Sequence, residues 1–371
     1  MTRARENDYS FILSRPLESL VARGAVRTFD AADAALADLR AGRSKIIVGA
    51  LPFESSDACT LIEPATFDRN PTPWPAAPRP AGVSPMHLRC SVPEPDEHVR
   101  RVAKAVERIH AGELDKVVLA RRVVLASEEV IDPLWVLDRL VSRDPASNGF
   151  LVDLSRGPSA RGSILVGSSP EVLVKRSKRV VSCWPLAGSA PRSADPVKDR
   201  AQGRSLQLSA KDLHEHAFVV ESVCAALFDV CDRLEVPAHP QLIATPQMWH
   251  LGTPITGTLR DPGVGALELA IRLHPTPAVC GTPTNRAREA ISDLEGERGY
   301  YAGAVGWCDA EGDGEWMVTI RCAEISDDGR TITASAGGGI VADSEPAQEL
   351  AETTAKFQTI LNALGAGDVE V

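Results

Sequence analysis

Residues 115–125 read DKVVLARRVVL, a β-branched and apolar run that predicts a buried strand. Alternation with a period of two puts Lys116, Val118 and Ala120 on one face, so an ammonium is directed to the same side as small apolar side chains. Just upstream, Val99, Val102, Val106 and Ile109 recur at helical spacing, and Gly112 closes that helix. Downstream, residues 164–167, 171–175, 316–322 and 331–335 read as further strands, while long helical patterns run over 212–231 and 344–364. At the N-terminal side, strands over 11–13 and 45–51 flank an Ala-rich helical stretch over 30–40, with Asp30 as its expected N-cap.

Strands and helices do not alternate regularly, no solenoid repeat is visible, and neither a GxGxxG nor a Walker loop is present. A large α+β domain over residues 1–371 is the expectation, with an N-terminal part (1–69), a connection (70–95) and a core (96–365). The connection is rich in proline, which disfavours helix and removes ladder donors, so a long surface segment is expected there.

With 371 residues, 44% hydrophobic and 24% charged, the chain has the composition of a globular protein with a sizeable core. A formal charge of -10 and dispersed basic residues disfavour nucleic-acid binding, so an anionic substrate would have to be held by local Arg, Lys or metal charge. The eight cysteines have no paired metal spacing and read as reduced thiols. No signal-peptide core or membrane span is visible, and a soluble cytoplasmic protein is expected.

Four places break the local rule for their element, where function concentrates. Lys116 is either a strand-end lysine in water or, beside other cations in an apolar site, a base with a lowered pKa. Glu171 follows a Ser-Ser-Pro turn, as a solvated strand end or as a general acid at a pocket mouth. Asp212 with Glu215, and Glu349 with Glu352, are i,i+3 pairs on two helices, with Lys356 four beyond Glu352. Each pair alone is explained by a solvated face, whereas two facing pairs suit a hard divalent cation with open positions, magnesium above all. His214 and His216 point to different helix faces and do not read as a zinc site. Gly337, Gly338 and Gly339 are a tight turn or a place where amides approach an anion. Arg321 is an internal cation suited to a carboxylate.

The motifs GELDKVVLAR, GSSPEVLV, PLAGSA, KDLHEH, WHLGTPITG, HPTPAVCGTP, GYYAGAVGW, TIRCAE, AGGGIV and ELAETTAK occur in this order. Together they resemble the chorismate-utilising enzymes, the isochorismate, salicylate, anthranilate and aminodeoxychorismate synthases, closely over residues 95–364 and loosely before. The resemblance implies an α+β fold of two large packed sheets with helices outside. It also implies roles: Lys116 as the base activating water, Glu171 as the acid, Glu215 and Glu352 holding Mg2+ with Asp212 and Glu349 behind them. Tyr301 and Arg321 would grip the enolpyruvyl carboxylate, and Gly188, Ser189, His250, Gly337, Gly339 and Lys356 would line the pocket.

Within the family, Ala187 stands where aminodeoxychorismate synthases typically carry a nucleophilic lysine. Ala278 stands where salicylate synthases typically have threonine. No amidotransferase domain of the anthranilate synthase kind is fused, so no obligatory amidotransferase partner is expected. The resemblance therefore points to conversion of chorismate to isochorismate by a monomer, with salicylate formation and binding without catalysis as the alternatives. Whether the product would feed menaquinone or siderophore biosynthesis is not written in the sequence.

Overall fold

The computed structural model describes residues 8–76, 86–157 and 163–371. Among them lie eight α-helices and three antiparallel sheets, of ten, nine and three strands. The ten-stranded sheet contains the long strands Lys116–Ala126 and Thr331–Ile340, paired in register from Ala126 opposite Thr331 to Val117 opposite Ile340. The nine-stranded sheet contains Ile46–Leu51, Ala304–Asp309, Gly314–Val318 and Val172–Ser177.

The sheets face each other through one cluster, in which Phe11, Leu13, Phe150 and Leu165 of the first meet Ile46, Val48, Val305 and Met317 of the second. Helices cover the outer faces. Pro133–Arg143 and Pro346–Leu364 pack on the first sheet through Leu137, Leu140, Phe357 and Ile360. Ala266–Leu273 and Ala210–Phe228 pack on the second through Leu267, Ala270, Val223 and Leu227. This is the α+β arrangement expected, with its core in three apolar layers.

Four expectations need correction. The stretch 316–322 is not one strand: Gly314–Val318 belongs to the nine-stranded sheet and Cys322–Ile325 to the ten-stranded one. The chain crosses between sheets over 319–321, and Arg321 sits there at φ 51. The three glycines form no turn, because Gly337–Gly339 lie inside Thr331–Ile340, whose missing β-carbons admit close neighbours. The helix expected over 30–40 spans Ala32–Arg40, with Ala31, not Asp30, at its N-cap and no side-chain cap.

The connection 70–95 is not all loop. Thr66–Asn70 pairs with Glu18–Arg23, and His87–Val92 with Lys116–Ala126. Its proline-dense residues 77–85 lie outside the described residues. A three-stranded sheet, Leu186–Pro191, Met248–Gly252 and Gln241–Ala244, was not anticipated. It carries PLAGSA and WHLGTP to one side of the site. All eight cysteines are free, as expected. No helix among the described residues is long and apolar enough to cross a membrane.

Candidate active site

One cleft, with about 670 Å³ of empty space including its open mouth, lies where both large sheets, the small sheet and two helices converge. Period-two geometry supplies its floor. On Lys116–Ala126, Val118 faces the cleft, and on the neighbouring strand Ser335, Gly337 and Gly339 do so, while Ile332 and Ala334 turn to the helix side as core. A β-carbon on Gly339 would lie 2.1 Å from Glu215 Oε1 and 3.1 Å from Lys116 Cε, so only glycine leaves room for that carboxylate.

Lys116 is fully buried beneath this floor, with Nζ 2.9 Å from Glu215 Oε1 in an ion contact that is not aligned as a hydrogen bond. It does not itself line the cleft, whereas its partner Glu215 does. Glu215 projects from the helix Ala210–Phe228, whose N-terminus is fixed by Ser209 Oγ accepting from the Asp212 amide at 3.2 Å.

On another wall Glu171 precedes the strand Val172–Ser177. Its amide donates to Ser169 Oγ at 3.3 Å and its carbonyl accepts from the Val318 amide at 3.1 Å, which ties it to the nine-stranded sheet. Burial pushes its carboxyl up to about 8, outweighing the Leu186 backbone donor and the charges of Lys116 and Lys356, which act downward. At neutral pH this carboxyl holds its proton.

The helix Pro346–Leu364 contributes Glu352 and Lys356, one turn apart on the face toward the cleft. Lys356 Nζ is 2.6 Å from Glu352 Oε1 and donates to the Gly337 carbonyl at 2.8 Å, and Ser189 Oγ donates to Glu352 Oε1 at 2.8 Å. Burial pushes Glu352 up, but Lys356 and Ser189 together bring it below the usual range. Its neighbour Glu349 is displaced upward, first by burial and then by the Glu352 charge.

Arg321, His250 and Tyr301 form the remaining polar wall. Arg321 Nη1 donates to the Lys356 carbonyl at 3.3 Å, and Nη2 lies 3.5 Å from His250 Nε2. Burial, followed by Arg321 and Lys356, holds His250 well below the usual imidazole range, so it is neutral and presents a lone pair to Arg321. Burial lowers the Arg321 guanidinium to about 10 and raises the Tyr301 hydroxyl, which stays protonated. The non-glycine positive φ at Arg321 is backbone strain located at the site.

Twelve of the expected residues line the cleft: Glu171, Gly188, Ser189 and Glu215; His250, Ala278, Tyr301 and Arg321; Gly337, Gly339, Glu352 and Lys356. Ala187 lines it too. Lys116, Asp212 and Glu349 sit behind it, Asp212 packed under Gly188, where a β-carbon would be 3.1 Å from the Asp212 β-carbon. His216 turns inward to Thr253 Oγ1 at 2.7 Å while His214 packs on Phe218, so the two histidines do diverge. Lys211 was missed: its Nζ lies 3.0 Å from Glu349 Oε1. Its position beside Asp212 in KDLHEH was the available signal.

The carboxylates fit magnesium by donor chemistry. They are hard oxygens only, each of Glu215, Glu349 and Glu352 is balanced by its own lysine, and Glu349 Oε2 is buried without a hydrogen-bond partner. No group of three or more His, Cys, Asp and Glu is gathered at metal-binding spacing among the described residues. An ion held here would have few protein ligands, and water and substrate oxygens would have to complete its shell.

Cations, a buried protonated acid and carboxylates surround this one cleft, groups suited to acid–base chemistry on an anionic ligand. The chain belongs to the family of chorismate binding enzymes, whose model matches residues 73–365. It is 48% identical over 360 residues, 96% of each chain, to a Mycobacterium tuberculosis protein provisionally named isochorismate synthase MenF. It is 45% identical to isochorismate synthase DhbC of Bacillus subtilis over 341 residues, 89% of this chain and 83% of the relative. A crystal structure from Bacillus anthracis, provisionally named a 2,3-dihydroxybenzoate-specific isochorismate synthase, superposes with a TM-score of 0.89 at 40% identity, covering 97% and 96% of the two chains.

Proposed function

We propose that this chain is a magnesium-dependent isochorismate synthase, a hydroxymutase that adds a water-derived hydroxyl at C2 of chorismate and expels the one at C4. The observation that carries the reading is a buried, protonated Glu171 lining the cleft with the buried Lys116 amine directly behind it. Similarity to proteins named isochorismate synthases supports it, as does the small side chain of Ala278 in the lining.

In its unprotonated amine form, Lys116 takes a proton from water as the water oxygen bonds to C2. The ring double bond shifts as the C4–O bond breaks, and Glu171 delivers its proton to the departing hydroxide. The products are isochorismate and one water, so atoms and charge balance, with a proton returning from Lys116 to Glu171 through solvent. Water is a poor nucleophile and hydroxide a poor leaving group, hence both partners are needed. Arg321 and Tyr301 hold the enolpyruvyl carboxylate, and Lys356 adds positive charge nearby. Glu215 and Glu352 would hold magnesium, which when bound supplies positive charge for the ring carboxylate. Asp212, Glu349 and Lys211 position those two carboxylates, and His250 orients Arg321.

The test is chorismate with magnesium in water enriched in oxygen-18, followed by chromatography and mass analysis. One heavy oxygen in isochorismate is expected. Salicylate with pyruvate, or chorismate recovered unchanged, would overturn the assignment.

A further inference from the structure

Among the described residues, the edge of the strand Lys116–Ala126 opposite Thr331–Ile340 is paired with backbone at both ends and not between them. Gly281–Thr282 pairs with Val117 and Lys116, and the Val118 amide donates to the Cys280 carbonyl at 2.8 Å. His87–Val92 takes up the same strand from Arg122 onward. In the gap, two side chains stand in for a neighbouring strand. The Ala120 amide donates to Glu295 Oε2 at 2.9 Å, and Arg298 Nη2 donates to the Val118 carbonyl at 2.8 Å.

The two are paired with each other, Arg298 Nη2 to Glu295 Oε2 at 2.6 Å and Nε to Oε1 at 2.8 Å, with side chains 1% and 9% exposed. Arg298 Nη1 also donates to the Val279 carbonyl at 2.7 Å, and its guanidinium lies 4.5 Å from the Phe53 ring and 6.0 Å from the Tyr301 ring. A single guanidinium thus bonds two residues of the cleft, Val118 in the floor and Val279 in the wall beside Ala278, and faces a third, Tyr301.

A buried ion pair is weak evidence for stability, because desolvation offsets its attraction. Backbone would have closed the same gap, but at a structural consequence: two more paired residues before Cys280 would draw Val279 and Ala278 into the ladder and toward the space the cleft occupies. We infer that Glu295 and Arg298 are a positioning pair, a side-chain rung that completes the strand edge while holding the Ala278–Val279 wall away from the floor, and so fixes the width of the substrate pocket. The inference rests on the proposed reading for the identity of the substrate.

The test is a double-mutant cycle of Arg298→Lys with Ala278→Gly, read in chorismate KM and kcat. Lysine keeps the charge but lacks the fork that reaches Val118 and Val279 together. Arg298→Lys is expected to raise KM about tenfold with a smaller change in kcat. The combined effect with Ala278→Gly should depart at least about threefold from the product of the single effects, as for residues in one network. Additive effects, or an unchanged KM, overturn the pair's role. Should Arg298→Lys fail to fold, Glu295→Gln enters the same cycle, since it retains an acceptor for the Ala120 amide. Chorismate affinity by titration calorimetry runs the cycle independently of turnover, so a failure of the isochorismate assignment and a failure of the rung give different results.

Discussion

Replacing Glu171 with glutamine removes a proton source and changes almost nothing else in size, which makes the pH dependence of kcat/KM the sharpest reading of its role. Burial sets this carboxyl at about 8 against an ordinary 4.5. At pH 7 roughly 90% of it is then protonated, where an ordinary glutamate would be roughly 0.3% protonated, so burial raises the acid population roughly 300-fold. Between pH 7 and 9 the protonated fraction drops to roughly 10%, and kcat/KM, which reports the free enzyme, should fall roughly tenfold with a midpoint near 8. Glu171→Gln should lower turnover by about two to four orders of magnitude and lose this limb.

Stability gives a second reading with a fixed sign. The folded pKa lies above the unfolded one, so the native state binds the extra proton between about 4.5 and 8, and wild-type stability falls as pH rises through that window. Glutamine has no such term, so the Tm of Glu171→Gln relative to wild type should climb from pH 5 to pH 8. Stopped assays of isochorismate formation and thermal scans across this range make both measurements. A flat kcat/KM from pH 7 to 9, or the same limb in the variant, would refute the assignment of the acid.

Lys116→Ala should lower turnover by about two to four orders of magnitude with chorismate binding retained; a near wild-type rate in a folded variant removes it as the base. Activity should vanish in chelator and return with magnesium, and Glu352→Gln should raise the magnesium requirement at least about tenfold, well beyond Asp212→Asn, because Glu352 faces the cleft and Asp212 lies behind it. Equal effects of the two substitutions would count against this division. Ala278→Thr should crowd the attacking water and raise the share of product found as salicylate plus pyruvate; a shift of about 1.4 kcal/mol between the two barriers changes the ratio tenfold. A coupled lactate dehydrogenase assay for pyruvate measures it, and an unchanged ratio means that Ala278 does not govern the outcome.

Local pattern carried a good part of this site. The period of two in DKVVLARRVVL placed Lys116 and Val118 on one face without any tertiary information, and the i,i+3 spacing of Glu349 and Glu352 belonged to a helix long enough to read. What failed was the reading of backbone events that distant chain dictates. Gly337–Gly339 have the composition of a turn, yet Leu119 and its neighbours on the partner strand hold them extended. Nothing local marks Arg321 as the point where the chain leaves one sheet for the other, because residues on both sides are apolar and strand-like. Asp30 has the chemistry of a cap, but the helix begins one residue too late for its side chain to act as one. Glu295 and Arg298 resemble any charged pair three apart, and only the gap in the neighbouring strand edge gives them a purpose.

The pairing of Lys116–Ala126 with Thr331–Ile340 has a consequence for how the chain is made. Synthesis proceeds from the N-terminus, and some two hundred residues must follow the first of these strands before its partner exists. Until then the apolar strand bearing Lys116 stands with an open edge, a state prone to wrong association. The helix Pro346–Leu364, with Glu352 and Lys356, comes later still. The nascent chain therefore acquires its site last, and conditions that slow translation across this long interval lengthen the time during which that edge stands open.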